Sequence, residues 1–185
     1  MKKVVRNILV VAVMLGTYTS YANKTTSDLP TSYEVKKGNY ISVTDASGKE
    51  IFSGEINYNG NITEFFDFTQ LKDGVYTVEV TNAFEIEINS VEVKDHSITS
   101  IDNTKAKIFK PVFRTEDSKV IISKLALDAK EMKVELYFEN DLFHSETITG
   151  GKVLNRVYQL DKRFPGDYMA IIRSNDRVYV EHFRI

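Results

Sequence analysis

The stretches "LKDGVYTVEV" (Leu71–Val80) and "RFPGDYMAII" (Arg163–Ile172) decide the fold. Each joins an acid and a glycine to a tyrosine and runs on into alternating apolar residues. At an offset of 92 residues, Gly74 falls on Gly166 and Tyr76 on Tyr168, with Val78 and Val80 on Ala170 and Ile172. Upstream, Phe66 and Phe68 fall on Tyr158 and Leu160. Downstream, Ile86 and Ile88 fall on Val178 and Val180, and Val91 and Val93 on Phe183 and Ile185. Val43 matches Leu136 at an offset of 93, so one residue has been gained or lost between. Self-similarity over this length marks two copies of one unit.

Period-two alternation dominates from Tyr33 onward, in runs such as "YISV", "VYTVEV", "KVELYF" and "RVYVEHFRI". Alternation of this kind belongs to half-buried strands. Between Ile88 and Val91 the phase slips by one, which predicts a bulge near Asn89 and Ser90. No segment keeps helical spacing beyond about two turns. Short strands separated by turn signals make this an all-β chain, read as two tandem immunoglobulin-like antiparallel β-sandwich units. The first unit spans residues 33–93 and the second 108–185. The polar stretch 94–107, "KDHSITSIDNTKAK", reads as a linker. The second copy opens with "IFKPVFRTEDSKVIISK", whose counterpart in the first falls across the N-terminal leader. The first unit is therefore expected to lack its opening strand. A missing strand leaves an edge to be covered by the leader, the linker or a strand from another molecule.

Residues 1–22 read as a secretory signal peptide: basic "MKKVVRN", apolar "ILVVAVMLG", and small Ser20 and Ala22 before the cut. Residues 23–32, "NKTTSDLPTS", read as a flexible leader. The apolar run is too short to span a bilayer, so no integral span is expected after cleavage. Loss of Lys2, Lys3 and Arg6 takes the formal charge from −2 to −5, and no basic run is left. That argues against nucleic acid as a partner. The chain has no cysteine, which removes disulfides, thiolate metal sites and thiol nucleophiles.

Each candidate site residue has a structural role open to it. Gly74 and Gly166 are expected to supply positive φ at the turn. Tyr76 and Tyr168 are expected to cap nearby backbone with their hydroxyls, as in a sandwich tyrosine corner. His96, His144 and His182 are scattered without metal-ligand spacing. Glu85 and Glu87 read as a solvated strand face, and Asp45, Asp73, Asp167 and Asp176 as turn acids. No nucleophile elbow is present. No catalytic residue, metal site or cofactor is expected. Aromatics in the outward phase remain: Phe65, Tyr137 and Tyr179, with Phe84 at a hairpin tip. They form the candidate binding surface, or else pack between units.

The pattern "VTDASGKEIFSGEI", then "FDFTQLKDGVYTVEVTN" and "EINSVEV", resembles the immunoglobulin-like β-sandwich domains of secreted Bacteroidetes proteins. These include the C-terminal sorting domains of type IX secretion and related small secreted proteins. The resemblance implies fold and export, and little chemistry. The expectation is a non-enzymatic exported protein, in the periplasm, at the outer surface or in the medium. It would bind a protein or surface polymer, or join an envelope assembly, with a strand-pairing oligomer as one form. The alternatives are a carbohydrate-binding module, a sorting-like domain, or a hydrolase with a dispersed site.

Overall fold

Alternating apolar residues become strands only when a second layer covers one face, and here two separate layers do so. The computed structural model describes residues 34–101, 103–127 and 129–185. The signal, the leader and the counterpart of the second copy's opening strand lie outside the described residues. In chain order the strands are β1 (Glu34–Val35), β2 (Tyr40–Asp45), β3 (Glu50–Glu55), β4 (Gly60–Asn61), β5 (Gly74–Thr81), β6 (Glu85–Lys94), β7 (Ser97–Ser100) and β8 (Ala106–Phe109). There follow β9 (Val112–Glu116), β10 (Lys119–Leu125), β11 (Glu131–Phe138), β12 (Asp141–Thr149), β13 (Val153–Gln159), β14 (Asp167–Ser174) and β15 (Arg177–Arg184). The only helical elements described are short 3-10 turns at Ile62–Glu64 and Phe68–Gln70. The protein is all-β, and every strand pairing is antiparallel.

The repeat is visible in the sheets. One sheet of the first unit runs β3-β2-β5-β6, and the second unit repeats it as β12-β11-β14-β15. The facing sheet of the second unit is β13-β10-β9, whereas among the described residues the first unit has there the two-residue ribbon β1-β4 and the 3-10 turns. Local polar chemistry explains the turn that replaces a β13-like strand. Asn61 Oδ1 accepts the Thr63 N–H at 3.1 Å, and Glu64 Oε1 accepts the Asn61 N–H at 3.3 Å. This capping box holds the chain out of a strand. Each unit has its own core. Ile41, Val43, Phe68, Val78 and Val80 belong to the first, and Val134, Leu136, Leu160, Ala170 and Ile172 to the second. These are the pairs matched by the repeat.

The two tyrosines do the same thing in both copies. Tyr76 donates its hydroxyl to the Lys72 carbonyl at 2.8 Å, and Tyr168 donates to the Phe164 carbonyl at 2.7 Å. Both rings are buried. The glycines depart from expectation, because neither Gly74 nor Gly166 has positive φ. Gly166 is needed for space: a Cβ there would lie 2.7 Å from Cε2 of Phe138. At Gly74 the nearest atom would be a Tyr76 ring carbon at 3.8 Å, an ordinary contact. Positive φ is carried instead by hairpin pairs such as Asp95–His96, Glu139–Asn140 and Asn175–Asp176. Two such residues in a row give the turn whose twist matches the flanking strands.

The expected bulge at Asn89 and Ser90 is absent. β5 and β6 pair without a break from Gly74 opposite Val93 to Thr81 opposite Ile86. Asn89, opposite core residue Val78, holds an inward position, so Ile86 and Ile88 face the other side. The apolar phase slips while the backbone does not.

The stretch 94–107 also differs from a linker. β7 pairs with β6 from Val91 to Lys94, and β8 pairs with β6 from Glu85 to Ile88. Together they cover the outer edge of β6. The buried Asn89 explains why this segment stays. Its Nδ2 donates to Ser100 Oγ at 3.0 Å, and its Oδ1 accepts from Thr104 Oγ1 at 3.2 Å. Thr104 Oγ1 also accepts the Ser90 N–H at 3.0 Å. A buried amide left without partners is costly, so the polar segment is held where it can satisfy this one. Thr104→Ala is expected to destabilise the first unit by about 1 kcal/mol and to raise amide exchange in β7 and β8. Thr104→Ser is expected to restore both in hydrogen-exchange measurements.

Candidate functional site

The four outward aromatics do not form a surface. Phe65 packs on the first core, with its ring 4.4 Å from that of Tyr58. Tyr137 is half-buried and leans over Glu135, its hydroxyl 3.5 Å from Oε2. Tyr179 is turned inward against the second core. Its cross-strand partner is the core residue Ile172, just as Phe183 lies opposite Tyr168. Only Phe84 stands clear, 67% exposed at the β5–β6 hairpin. The inward turn of Tyr179 throws Val178 and Val180 outward, 53% and 47% exposed. Their counterparts in the first unit are Ile86 and Ile88. Ile86 sits opposite Ile108 of β8 and is 4% exposed.

A strand edge is a row of unpaired backbone donors and acceptors, so its treatment shows where partners are refused. The edges of β3 and β12 carry register breaks at Val43/Thr44 and Leu136/Tyr137, the same place in both copies. Bulges of this kind twist an edge away from new pairing. The edge of β6 is covered by β7 and β8. In the second unit β13 is tied to β12 across the seam of the sandwich. Glu146 Oε1 accepts from the Tyr158 hydroxyl at 2.7 Å, and its Oε2 accepts from Arg156 Nε at 3.2 Å. β15 is treated differently. It pairs with β14 without a break, and no other strand among the described residues pairs with it.

The cluster of His144, Glu146, Arg156 and Tyr158 is the nearest thing to a catalytic constellation. Its chemistry is that of a clasp. The Tyr158 hydrogen bond, with Arg156 beside it, holds the Glu146 carboxyl below its usual range. Burial, then the bond to Glu146, pushes the Tyr158 phenol well above its own. The carboxylate stays charged and the phenol stays protonated, so neither is poised to exchange a proton near neutrality. His144 Nε2 lies 3.6 Å from Glu146 Oε1, an ion-pair distance only when the imidazole is protonated. Because the folded pKa of Glu146 is depressed, the clasp stabilises fully above the unfolded carboxyl value. That contribution is lost as pH falls through the folded one. Acid titration is thus expected to weaken the second unit below about pH 4.5, and Glu146→Gln is expected to flatten that dependence in denaturation curves.

A concavity of about 870 Å³ lies beside the β14–β15 turn and is lined in part by Lys130, Glu131, Lys133, Arg173, Asp176 and Arg177. Three of its cations are already engaged. Lys133 and Arg173 reach Glu135 at 2.7 and 3.5 Å, and Arg177 reaches Glu79 of β5 at 2.6 Å. This last pair joins the two units. Glu85 and Glu87 both contact Lys107 of β8 at 3.0 Å, so the alternating acids clamp a strand. Asp45 accepts the Ser47 and Lys49 N–H groups at 2.8 and 3.1 Å, as a turn acid does. Asp73 accepts the Asp95 N–H at 3.1 Å. Among the described residues no three His, Cys, Asp or Glu gather as a metal site. No helix among them is long and apolar enough to cross a membrane.

Sequence comparison bears on the first unit. Residues 21–94 match the family model of the secretion system C-terminal sorting domain. The match ends on the last residue of β6 and leaves the second unit outside. The resemblance carried by "DASGK" and "DGVYTVEV" is shown by this match, which indicates an exported protein. No curated protein matches the chain.

Proposed function

We propose that the chain is an exported, non-enzymatic β-sandwich protein in which the first unit is read by the secretion apparatus and the second makes contacts outside. The observation that carries this is the position of the family match. It runs from residue 21 to Lys94, the end of the strand that closes the repeated four-strand sheet, so it takes in the first copy and stops before the second. The chemistry agrees. The ionisable clusters are engaged in clasps between strands, and the exposed apolar residues of β15 lie along a strand edge. Such a protein works through backbone pairing and surface shape.

The test is fractionation of a bacterium that carries the matching secretion system. The intact chain is expected beyond the outer membrane. A Phe68→Ala variant, damaged in the first core, is expected to remain in the periplasm. A Leu160→Ala variant, damaged at the matching place in the second core, is expected to be exported still. Periplasmic retention of the intact chain, or equal export of both variants, overturns the proposal.

A further inference from the structure

The treatment of its edges makes β15 the exception in this molecule. β3 and β12 carry bulges, β6 is covered, and β13 is tied to β12. β9 and β15 meet at the other seam, where the Phe113 ring stands 5.1 Å from that of Phe183, near the C-terminal end of β15. Among the described strands, β15 alone combines an unbroken register, an outer edge that no described strand pairs with, and two outward valines. The first unit shows what its counterpart strand accepts. On β6, β8 sets Ile108 opposite Ile86 on one face and Lys107 opposite Glu87 on the other. An edge of this shape takes an antiparallel strand with an apolar residue on one face and a complementary charge on the next.

β15 supplies that pattern to itself. We propose that the second unit pairs through β15 with β15 of another copy, antiparallel, about a two-fold axis at Tyr179. In this register Val178 lies opposite Val180 of the mate, as Ile86 lies opposite Ile108. Arg177 lies opposite Glu181 of the mate, as Glu87 lies opposite Lys107. One step further, Asp176 lies opposite His182. Moving the axis between Val180 and Glu181 sets Arg177 against Arg184, a like-charge pair that costs stability. The two-fold makes each contact twice, as an isologous interface requires. The two four-strand sheets become one continuous sheet, with four valines together on its outer face. This pairing does not depend on the secretion reading; its strand belongs to the second unit, and of its charged residues Arg177 also holds Glu79 of the first unit at 2.6 Å.

The absence of cysteine makes the test direct. Val178→Cys and Val180→Cys are both at exposed positions and are made as separate proteins. Each is oxidised mildly alone and then mixed with the other. The register predicts a disulfide-linked dimer in the mixture and little in either protein alone, because each cysteine faces the other position of its mate. Cysteines on directly opposed residues lie within bridging distance. Sedimentation of the intact chain is the second measurement. A concentration-dependent dimer is expected, and Glu181→Arg is expected to weaken it about tenfold or more. A monomer at all concentrations overturns the proposal. So does cross-linking of either single-cysteine protein alone to the extent seen in the mixture, which would mean another register.

Discussion

Phe68→Ala is expected to remove about 3–5 kcal/mol from the first unit, the usual cost of deleting a buried phenylalanine. Phe68 is among the largest fully buried side chains. It sits where the turn after Asp67 folds back over the sheet, and Asp67 Oδ1 fixes that turn by accepting the Thr69 N–H at 3.0 Å. Its ring meets Phe66 edge-on at 4.8 Å, and Phe66 stacks on Phe52 at 4.6 Å. Truncation thus opens a cavity and strips one side from an aromatic row. Among the described residues the facing layer of the first unit is a short ribbon and two turns, which offer few side chains to close the gap. A loss of this size is a large part of a single domain's stability. Because the two cores share no residue, denaturant unfolding followed by tyrosine fluorescence should separate into two transitions. The first unit's transition is expected to move to lower denaturant while that of the second stays in place.

Gly166→Ala is expected to cost the second unit about 1–3 kcal/mol, in the range of overpacked sites. The added methyl meets the Phe138 ring at 2.7 Å and 3.2 Å, and that ring is held by Tyr168 at 4.8 Å and Phe164 at 6.5 Å. It cannot move without disturbing the tyrosine turn. Gly74→Ala is the contrasting case. Its methyl meets nothing closer than 3.8 Å, and with ordinary φ the change is expected to stay within roughly 0.5 kcal/mol of neutral, as surface substitutions do. Equal costs at the two glycines, measured by denaturant titration, would contradict the steric account.

Much of this fold is legible in the sequence because the repeat and the period-two alternation report the same thing. The matched pairs Val43 and Leu136, Phe68 and Leu160, and Tyr76 and Tyr168 are buried in both units. Both copies place the same bulge after Val43 and Leu136, so it leaves the offset alone; the offset changes in the hairpins, where Thr44 pairs with Glu50 but Tyr137 with Leu142. The phase along β6 and β15 was harder to read. Alternation shows two faces without saying which is covered, and Ile86, Ile88, Val178 and Val180 look like core. Counting inward from Tyr76 and Tyr168 through their partners Val91 and Phe183 puts Asn89 and Tyr179 inside instead. A buried asparagine served by Ser100 and Thr104 has no signature in composition, so the segment that serves it reads as linker. The local sequence marks both glycines as conformational although one is steric, because a ring from a strand 28 residues away is invisible locally.

The central claim is that matching edges of the two units are treated oppositely: β6 is sealed by its own chain and β15 is left to a partner. Residue-resolved amide exchange of the intact chain, in a dilution series, tests this most directly. The account predicts that the outward amides of β6, at residues 85–94, stay protected at every concentration. The outward amides of β15, at residues 177–184, should lose protection on dilution. Equal protection of the two edges at the lowest concentration, or fast exchange along β6, would contradict it.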